Sequence, residues 1–170
     1  SDVCSSDLDP TMKRSLPLLL TAFVVMAPSR PIAPELLAHA DWIAPNETEF
    51  TAIFGGSAVG PDGDARLRAA ADRSGIRLAV TLGEHGAALV VPGEPIVRVP
   101  APRVKAVDTT GAGDAFLGAF AFGLASGLAP VRAAELAVAC ASASVQKTGT
   151  QSSYLSRDEA AALAAPYLNG

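Results

Sequence analysis

The stretch from Asp108 to Asp114, "DTTGAGD", places two carboxylates and two glycines directly before a long apolar run. Gly111 and Gly113 allow positive φ angles and a close approach of the backbone to a ligand. The apolar run predicts a helix that begins near Ala112, and the first N–H groups of a helix have no intrahelical partner. These groups carry partial positive charge and attract phosphate. The spacing therefore predicts a phosphate-binding turn.

Asp114 lies in the first turn of that helix, beside the phosphate-binding turn. A carboxylate there would repel phosphate, but it could act as a general base on a hydroxyl that attacks the phosphate. Alternatively, Thr109, Thr110 or Asp114 caps the helix, although a cap explains one polar residue and not the whole pattern. A Walker A loop is excluded because no lysine follows the last glycine. A dinucleotide fingerprint is excluded because Phe116 stands in place of the third glycine.

A second polar motif, "PNETE" at 45–49, has two interpretations. Asn46 and Glu49 have the spacing of a capping box, which is a structural role. The same spacing puts an amide and a carboxylate on one helix face, where they could orient water around Mg²⁺. The residues alone leave both interpretations open.

Four motifs together resemble the ribokinase-type (PfkB-like) carbohydrate kinases. The stretch "DTTGAGDAF" at 108–116 is similar to the second signature of that family, and "PNETE" is similar to its N-x-x-E element. "VTLGEHGAALV" at 80–90 resembles its nucleotide-contacting segment, and "SVQKTGTQSS" at 144–153 resembles its C-terminal loop. They occur in the order of the family, and the resemblance extends from about Val24 to the C-terminus.

The resemblance implies a role for each matching residue. Asp114 would be the catalytic base that contacts the substrate hydroxyl, and the anion hole would consist of Gly111, Ala112 and Gly113. The nucleotide contacts of ATP would include Gly113 and four further residues: Asn46, Thr81, Gly83 and Glu84. Glu49 would hold Mg²⁺ through water. A monovalent cation, K⁺, would lie beside the anion hole, partly on backbone carbonyls of the matching loops: Asp108, Thr110, Ser144, Lys147, Gly149 and Ser153.

By the same resemblance, the activity is transfer of the γ-phosphoryl group of ATP to a sugar hydroxyl, and "PNETE" favours D-ribose. The alternatives are a kinase for another sugar or nucleoside, such as a fructokinase, and a nucleotide-binding module without catalysis. The resemblance implies a cytoplasmic enzyme that forms a homodimer only when full-length. A further alternative is a secreted protein, because "MKRSLPLLLTAFVVMAPS" from Met12 has the order of a signal peptide. An ordinary buried strand at 23–26 is the interpretation we favour.

Several family features have no counterpart in the sequence. The glycine-rich sugar-binding stretch and the small β-sheet lid are missing, and "VMAPS" stands where the family has Asn-Pro-Ala-Pro. At Val138 ribokinases more often have a polar residue. We therefore expect residues 22–170 to be the C-terminal ATP-binding portion of a sugar kinase, inactive without most of its sugar site. We expect residues 1–21 to be a disordered lead-in of uncertain origin.

Composition excludes several classes of partner. The net charge is −4, and no basic tract is present, which argues against nucleic acid and anionic membranes. Cys4 and Cys140 form no C-x-x-C motif, which argues against a zinc site. His39 and His85 are isolated, and we interpret both as surface or helix-end residues.

Strand-like and helix-like segments alternate around the motifs, which predicts an α/β fold with a mainly parallel central sheet. The resemblance specifies a ribokinase-like (Rossmann-like) three-layer domain, truncated at its N-terminal side. Glycines after apolar or amphipathic segments mark the predicted helix ends. The predicted helices are 34–39, 46–54, 64–74, 112–126, 130–147 and 156–168. The predicted strands are 23–26, 42–44, 77–82, 87–91 and 95–99, with a hairpin at 83–86.

Overall fold

The computed structural model describes residues 23–24 and 40–168. The predicted helix at 34–39, the lead-in at 1–21 and His39 lie outside these residues. Of the helices that the structure describes, none has both the length and the apolar character needed to cross a membrane.

A five-stranded sheet in the described part of the chain forms the centre of the domain. Its strands follow chain order: β1 (Phe23–Val24), β2 (Trp42–Ile43), β3 (Arg77–Thr81), β4 (Ala87–Val90) and β5 (Val97–Val99). β1, β2 and β3 are parallel, whereas β4 is antiparallel to both β3 and β5. The predicted α/β class is confirmed, and within the described residues the sheet is mixed. Short turns reverse the chain on either side of β4, and a parallel pair would need a long crossover.

The described helices match the predicted segments closely. They are α1 (Glu47–Phe54), α2 (Gly63–Ser74), α3 (Ala112–Ala125), α4 (Pro130–Ser144) and α5 (Arg157–Leu168). Gly75 ends α2 in the left-handed conformation, with φ of 70°, and Pro130 is the first residue of α4. Glycine readily adopts the left-handed conformation that ends a helix, and proline has the φ angle of a first helical residue and lacks the N–H that would be unpaired there. These backbone preferences explain why the sequence alone located the two boundaries.

Helices cover both faces of the sheet, which confirms the three-layer arrangement. Leu78 and Val80 of β3 point to one face and pack with Phe50 of α1 and Leu67 of α2. On the other face, residues of β2, β3 and β4 pack with α3 and α4. There Trp42 meets Phe120 edge to face, with ring centroids 5.2 Å apart. Burial on both faces explains why β3 is apolar almost throughout.

Small residues bring α3 and α4 into close contact. A Cβ on Gly123 would lie 2.9 Å from the Cβ of Ala133, so only glycine fits at that crossing. Ala133, Ala134 and Ala137 are all fully buried along this seam. The packing fixes the position of α3, whose first turn carries the candidate site.

Candidate active site

A polar cleft of about 130 Å³ collects residues from four elements. It lies where β2 and β3 end, next to the first turns of α1 and α3. A parallel bridge between Asn46 and Thr81 joins the two strand ends. The residues that line the cleft are Ala44, Asn46, Glu49, Thr81, Gly111, Gly113 and Asp114. The two motifs with candidate chemistry, about 60 residues apart in sequence, thus line the same cleft.

Asn46 and Glu49 form a capping box at the start of α1. Asn46 Oδ1 accepts the backbone N–H of Glu49, and Glu49 Oε2 accepts the backbone N–H of Asn46, both at 2.9 Å. Glu49 is only 9% exposed, and no ion pair of the described residues includes it. The structural interpretation is therefore correct, and both residues also line the cleft, where the functional interpretation places them.

The first turn of α3 is open at its end. Gly111, with φ of 82°, precedes the helix, and no side chain caps it, so the capping interpretation of Thr109, Thr110 and Asp114 is wrong. The backbone N–H of Ala112 donates to the carbonyl of Thr109 at 3.2 Å, whereas no described residue accepts from the backbone N–H groups of Gly113 and Asp114. A Cβ on Gly113 would meet no atom within 4 Å, so its backbone faces open space. This arrangement can accept an anion, with the exposed carboxylate of Asp114 beside it.

Asp108 holds the turn before α3 in place. Its Oδ1 accepts the backbone N–H of Thr110 at 2.9 Å, and its Oδ2 accepts the backbone N–H of Gly149 at 3.0 Å. The hydrogen bonds from Thr110, and then that from Gly149, lower the pKa of the Asp108 carboxyl. The ionised side chain therefore connects the turn to the loop after α4.

The other residues predicted around a monovalent cation make local contacts. Ser144 Oγ donates to the carbonyl of Ala141 at 2.8 Å, and Ser153 Oγ donates to the carbonyl of Thr150 at 2.7 Å. Lys147 Nζ lies 3.0 Å from Glu159 Oε1, so its side chain is used for an ion pair. Within the described residues, no cluster of three or more acidic, histidine or cysteine side chains could hold a metal ion.

Three predicted residues lie beside the cleft without lining it. Gly83 and Glu84 are exposed in the turn between β3 and β4, and Ala112 is the first residue of α3. Tyr154 is not among the predicted site residues, yet its Oη lies 3.4 Å from Asp114 Oδ2. The two residues are 40 positions apart, and no motif joins them, so only the fold reveals the contact.

With this geometry in place, comparison with known proteins assigns the class. The chain belongs to the pfkB family of carbohydrate kinases, whose family model matches residues 15–157. The ribokinase of Lactococcus lactis is 40% identical over 125 residues, which are 74% of this chain and 39% of that protein. The deoxyribokinase of Salmonella typhi is 42% identical over 123 residues, 70% of this chain and 39% of that protein.

Solved structures agree with this assignment. The ribokinase of Arabidopsis thaliana, complexed with ribose and ATP, has a TM-score of 0.73 and 32% identity, over 83% of this chain and 46% of that one. The ribokinase of Thermotoga maritima has a TM-score of 0.67 and 34% identity, over 78% and 44%. The chain thus spans about two fifths of the length of the curated relatives it matches. The ribokinase-like fold expected from the sequence is confirmed.

Proposed function

We propose that this chain supplies the ATP-binding and catalytic portion of a kinase that phosphorylates a sugar hydroxyl, with D-ribose as the acceptor. The observation that carries the proposal is the cleft itself. It places a carboxylate, Asp114, beside an open helix end and in the same cleft as the paired side chains of Asn46 and Glu49. Family membership supports the ATP-dependent phosphotransferase class.

In this proposal Asp114 accepts the proton of the attacking sugar hydroxyl. The backbone at Gly111, Ala112 and Gly113 stabilises the negative charge on the transferring phosphoryl group. Such stabilisation and the positioning of the two reactants supply most of the rate in phosphoryl transfer. Asp114 lines the cleft and is exposed, which suits contact with an acceptor that enters from solvent.

The size of the cleft decides which part of ATP it would hold. At about 130 Å³ it is smaller than the pockets of roughly 300–1,000 Å³ that enclose whole ligands. We therefore assign the reacting phosphates to the cleft, at Asn46, Thr81 and Gly113. The rest of the nucleotide would lie over the exposed turn that contains Gly83 and Glu84.

The residues present offer a carboxylate for Mg²⁺ and several oxygen atoms for K⁺. Mg²⁺ usually keeps several waters and takes one or two carboxylates together with substrate phosphates. Glu49, a buried carboxylate outside any described ion pair, fits that role through water, and the ion would neutralise phosphate charge. K⁺ would use Asp108 and oxygens of Thr110, Ser144, Lys147, Gly149 and Ser153. One structural neighbour, the phosphofructokinase-2 of Escherichia coli, is in complex with potassium.

The choice of acceptor comes from the relatives. Ribokinases support D-ribose, and the deoxyribokinase of Salmonella typhi makes 2-deoxy-D-ribose the second candidate. Asp114 is the one described residue that we assign to the sugar, so the described site does not itself discriminate between them. The proposal includes a cytoplasmic location, where ATP is available, and a homodimer of the full-length protein.

The test is a coupled assay of ADP release by the full-length gene product. D-ribose, 2-deoxy-D-ribose, D-fructose and a nucleoside are offered as acceptors, and D-ribose should give the highest kcat/KM. Asp114→Asn keeps the shape of the side chain and should lower kcat by roughly 10²–10⁴-fold, with ATP affinity nearly unchanged. Near-normal turnover by this variant would refute the role of Asp114, and ADP release without any acceptor dependence would refute the kinase.

A further inference from the structure

Tyr154 lies against the first turn of α3 from the side of the C-terminal loop. Its Oη approaches Asp114 Oδ2 at 3.4 Å. Its ring edge is so close to Gly111 that a Cβ there would lie 3.1 Å from Oη and 3.2 Å from Cε1. The tyrosine therefore contacts both the glycine that opens the proposed anion hole and the proposed base.

The loop holds Tyr154 in this place through its backbone. Ser153, fully buried, donates its hydroxyl to the carbonyl of Thr150, and the backbone N–H of Gly149 donates to Asp108. The backbone N–H of Tyr154 closes a short turn on the carbonyl of Gln151 at 3.4 Å. The contacts at Gly149 and Tyr154 thus join the loop to the turn before α3 and to its first residues.

We propose that Tyr154 is a positioning residue for the base: its hydroxyl donates to Asp114 Oδ2 and orients the carboxylate toward the acceptor. This inference rests on the proposed function, because it presumes that Asp114 receives the proton. With Oδ2 engaged, Oδ1 is the oxygen left for the sugar hydroxyl. An exposed carboxylate would otherwise sample several rotamers, and holding it in one of them raises the fraction of productive complexes.

The electrostatics of Tyr154 agree with this contact. Desolvation of the half-buried hydroxyl, and then the negative charge and hydrogen bond of Asp114, raise its pKa above the ordinary value. Asp114 is the one charged group of the described chain whose electrostatic interaction contributes to this shift.

The contact can be tested without any assay of activity, by a double-mutant cycle of thermal unfolding on the full-length gene product. Tyr154→Phe removes the hydroxyl and Asp114→Ala removes the carboxylate that accepts from it, so the two changes should be non-additive in the free energy of unfolding. Tyr154→Phe combined with Glu94→Gln, which removes an exposed charge elsewhere, should be additive. Additive effects of Tyr154→Phe and Asp114→Ala would overturn the contact.

The positioning role is tested by kinetics on the full-length gene product. Tyr154→Phe should lower kcat roughly fivefold, as expected for one ordinary hydrogen bond of about 1 kcal/mol, with the KM for ATP unchanged. Tyr167→Phe, whose ring lies against Arg132 rather than at the site, should retain full kcat. An unchanged kcat in Tyr154→Phe overturns the positioning role. Absence of acceptor-dependent turnover in the parent protein overturns the proposed function, and with it this role, while the double-mutant cycle still reports the contact.

Discussion

Asp108 Oδ2 accepts the backbone N–H of Gly149 at 3.0 Å across 41 residues of sequence. The bond joins the turn before α3 to the loop after α4, and the close packing of those two helices brings both segments to the same end of the domain. The backbone N–H groups of Val107 and Asp108 also donate to the carbonyl of Val145, at 2.7 and 3.2 Å. The proposed anion hole is therefore supported from behind by a loop that does not itself line the cleft.

Gly113→Ala should separate stability from function. A Cβ at Gly113 would meet nothing within 4 Å, so the variant should fold and gain up to about 1 kcal/mol of stability from the better helix former. The same Cβ would stand where the phosphoryl group approaches, and kcat should fall at least about tenfold, since anion-hole contacts are worth that much or more. Thermal unfolding and the coupled assay are measured on the same variant.

Gly118→Ala is the matched control for that substitution. Gly118 is also exposed on α3, and a Cβ there would again meet nothing within 4 Å. The Gly118→Ala variant should raise the Tm in the same way and leave kcat unchanged. If both variants keep full activity, the backbone at Gly113 does not approach the phosphoryl group.

Glu49→Gln should distinguish the two roles of the capping-box residue. Glutamine keeps an acceptor oxygen for the N–H of Asn46, so thermal stability should change little. It lacks the charge that would serve Mg²⁺, so activity should require more Mg²⁺. Glu49→Ala also loses the cap and should cost about 1 kcal/mol of stability. A Mg²⁺ titration of Glu49→Gln that superimposes on the parent curve would assign the residue a structural role alone.

Stability at acid pH should depend on Glu159, which accepts from the backbone N–H of Ser156 at the start of α5 and pairs with Lys147. The hydrogen bond from the backbone of Ser156, and then that from Lys147, lower the pKa of Glu159 from 4.5 to about 2. The ionised form is favoured in the folded state, so its contribution is complete above about pH 4.5 and is lost as the pH falls toward 2.

Glu159→Gln should therefore lower the Tm at pH 6 and reduce the further loss of Tm between pH 4.5 and pH 2.5. Asp158→Asn is the control, because its carboxylate makes no hydrogen bond or ion pair within the described chain. Thermal unfolding followed over this pH range provides the measurement. Parallel curves for Glu159→Gln and the parent would show that the contact with Ser156 and Lys147 does not stabilise the folded state.

Local signals account for what the sequence predicted of the fold. Asn46, Gly75 and Pro130 fix helix ends through side-chain caps and backbone preferences, which are properties of a few neighbouring residues. The turn at 83–86 likewise identified a hairpin. The chain reverses at Pro92–Gly93, and this turn makes β5 antiparallel to β4. The expected mainly parallel sheet did not take this turn into account.

The sequence predicted those residues of the candidate site that belong to recognisable motifs. "DTTGAGD" and "PNETE" each predicted polar groups at the start of a helix. The cleft that they share depends on the pairing of β2 with β3 and on the packing of α3, which neither motif specifies. Tyr154 was not predicted because it lies in a loop without a helix-like or strand-like sequence pattern. Its contact with Asp114 depends on where that loop packs against the first turn of α3. The sequence likewise did not predict the ion pair between Lys147 and Glu159, because this pair depends on the position of α5 relative to the loop that contains Lys147.

An apolar groove of about 580 Å³ bears on how this chain should behave alone. It runs between α3 and α5, and Phe122, 50% exposed, lies along it together with Leu155 and Leu168. Exposed apolar surface of this kind promotes association. The 170-residue chain, which covers about two fifths of its ribokinase relatives, should therefore be poorly soluble and tend to associate.

The same chain should bind ATP weakly and show no measurable phosphorylation of D-ribose. Asn46, Thr81 and the open end of α3 are present to hold phosphates, but Asp114 is the one described residue that we assign to the acceptor. A base accelerates transfer only when the hydroxyl is held in line with the phosphoryl group, so an unheld sugar should not react at an enzymatic rate. Calorimetric titration with ATP and a coupled assay on the monomeric fraction measure the two properties. Ribose-dependent ADP release at about 1 s⁻¹ or faster, a rate ordinary for kinases, would show that these residues already contain an acceptor site.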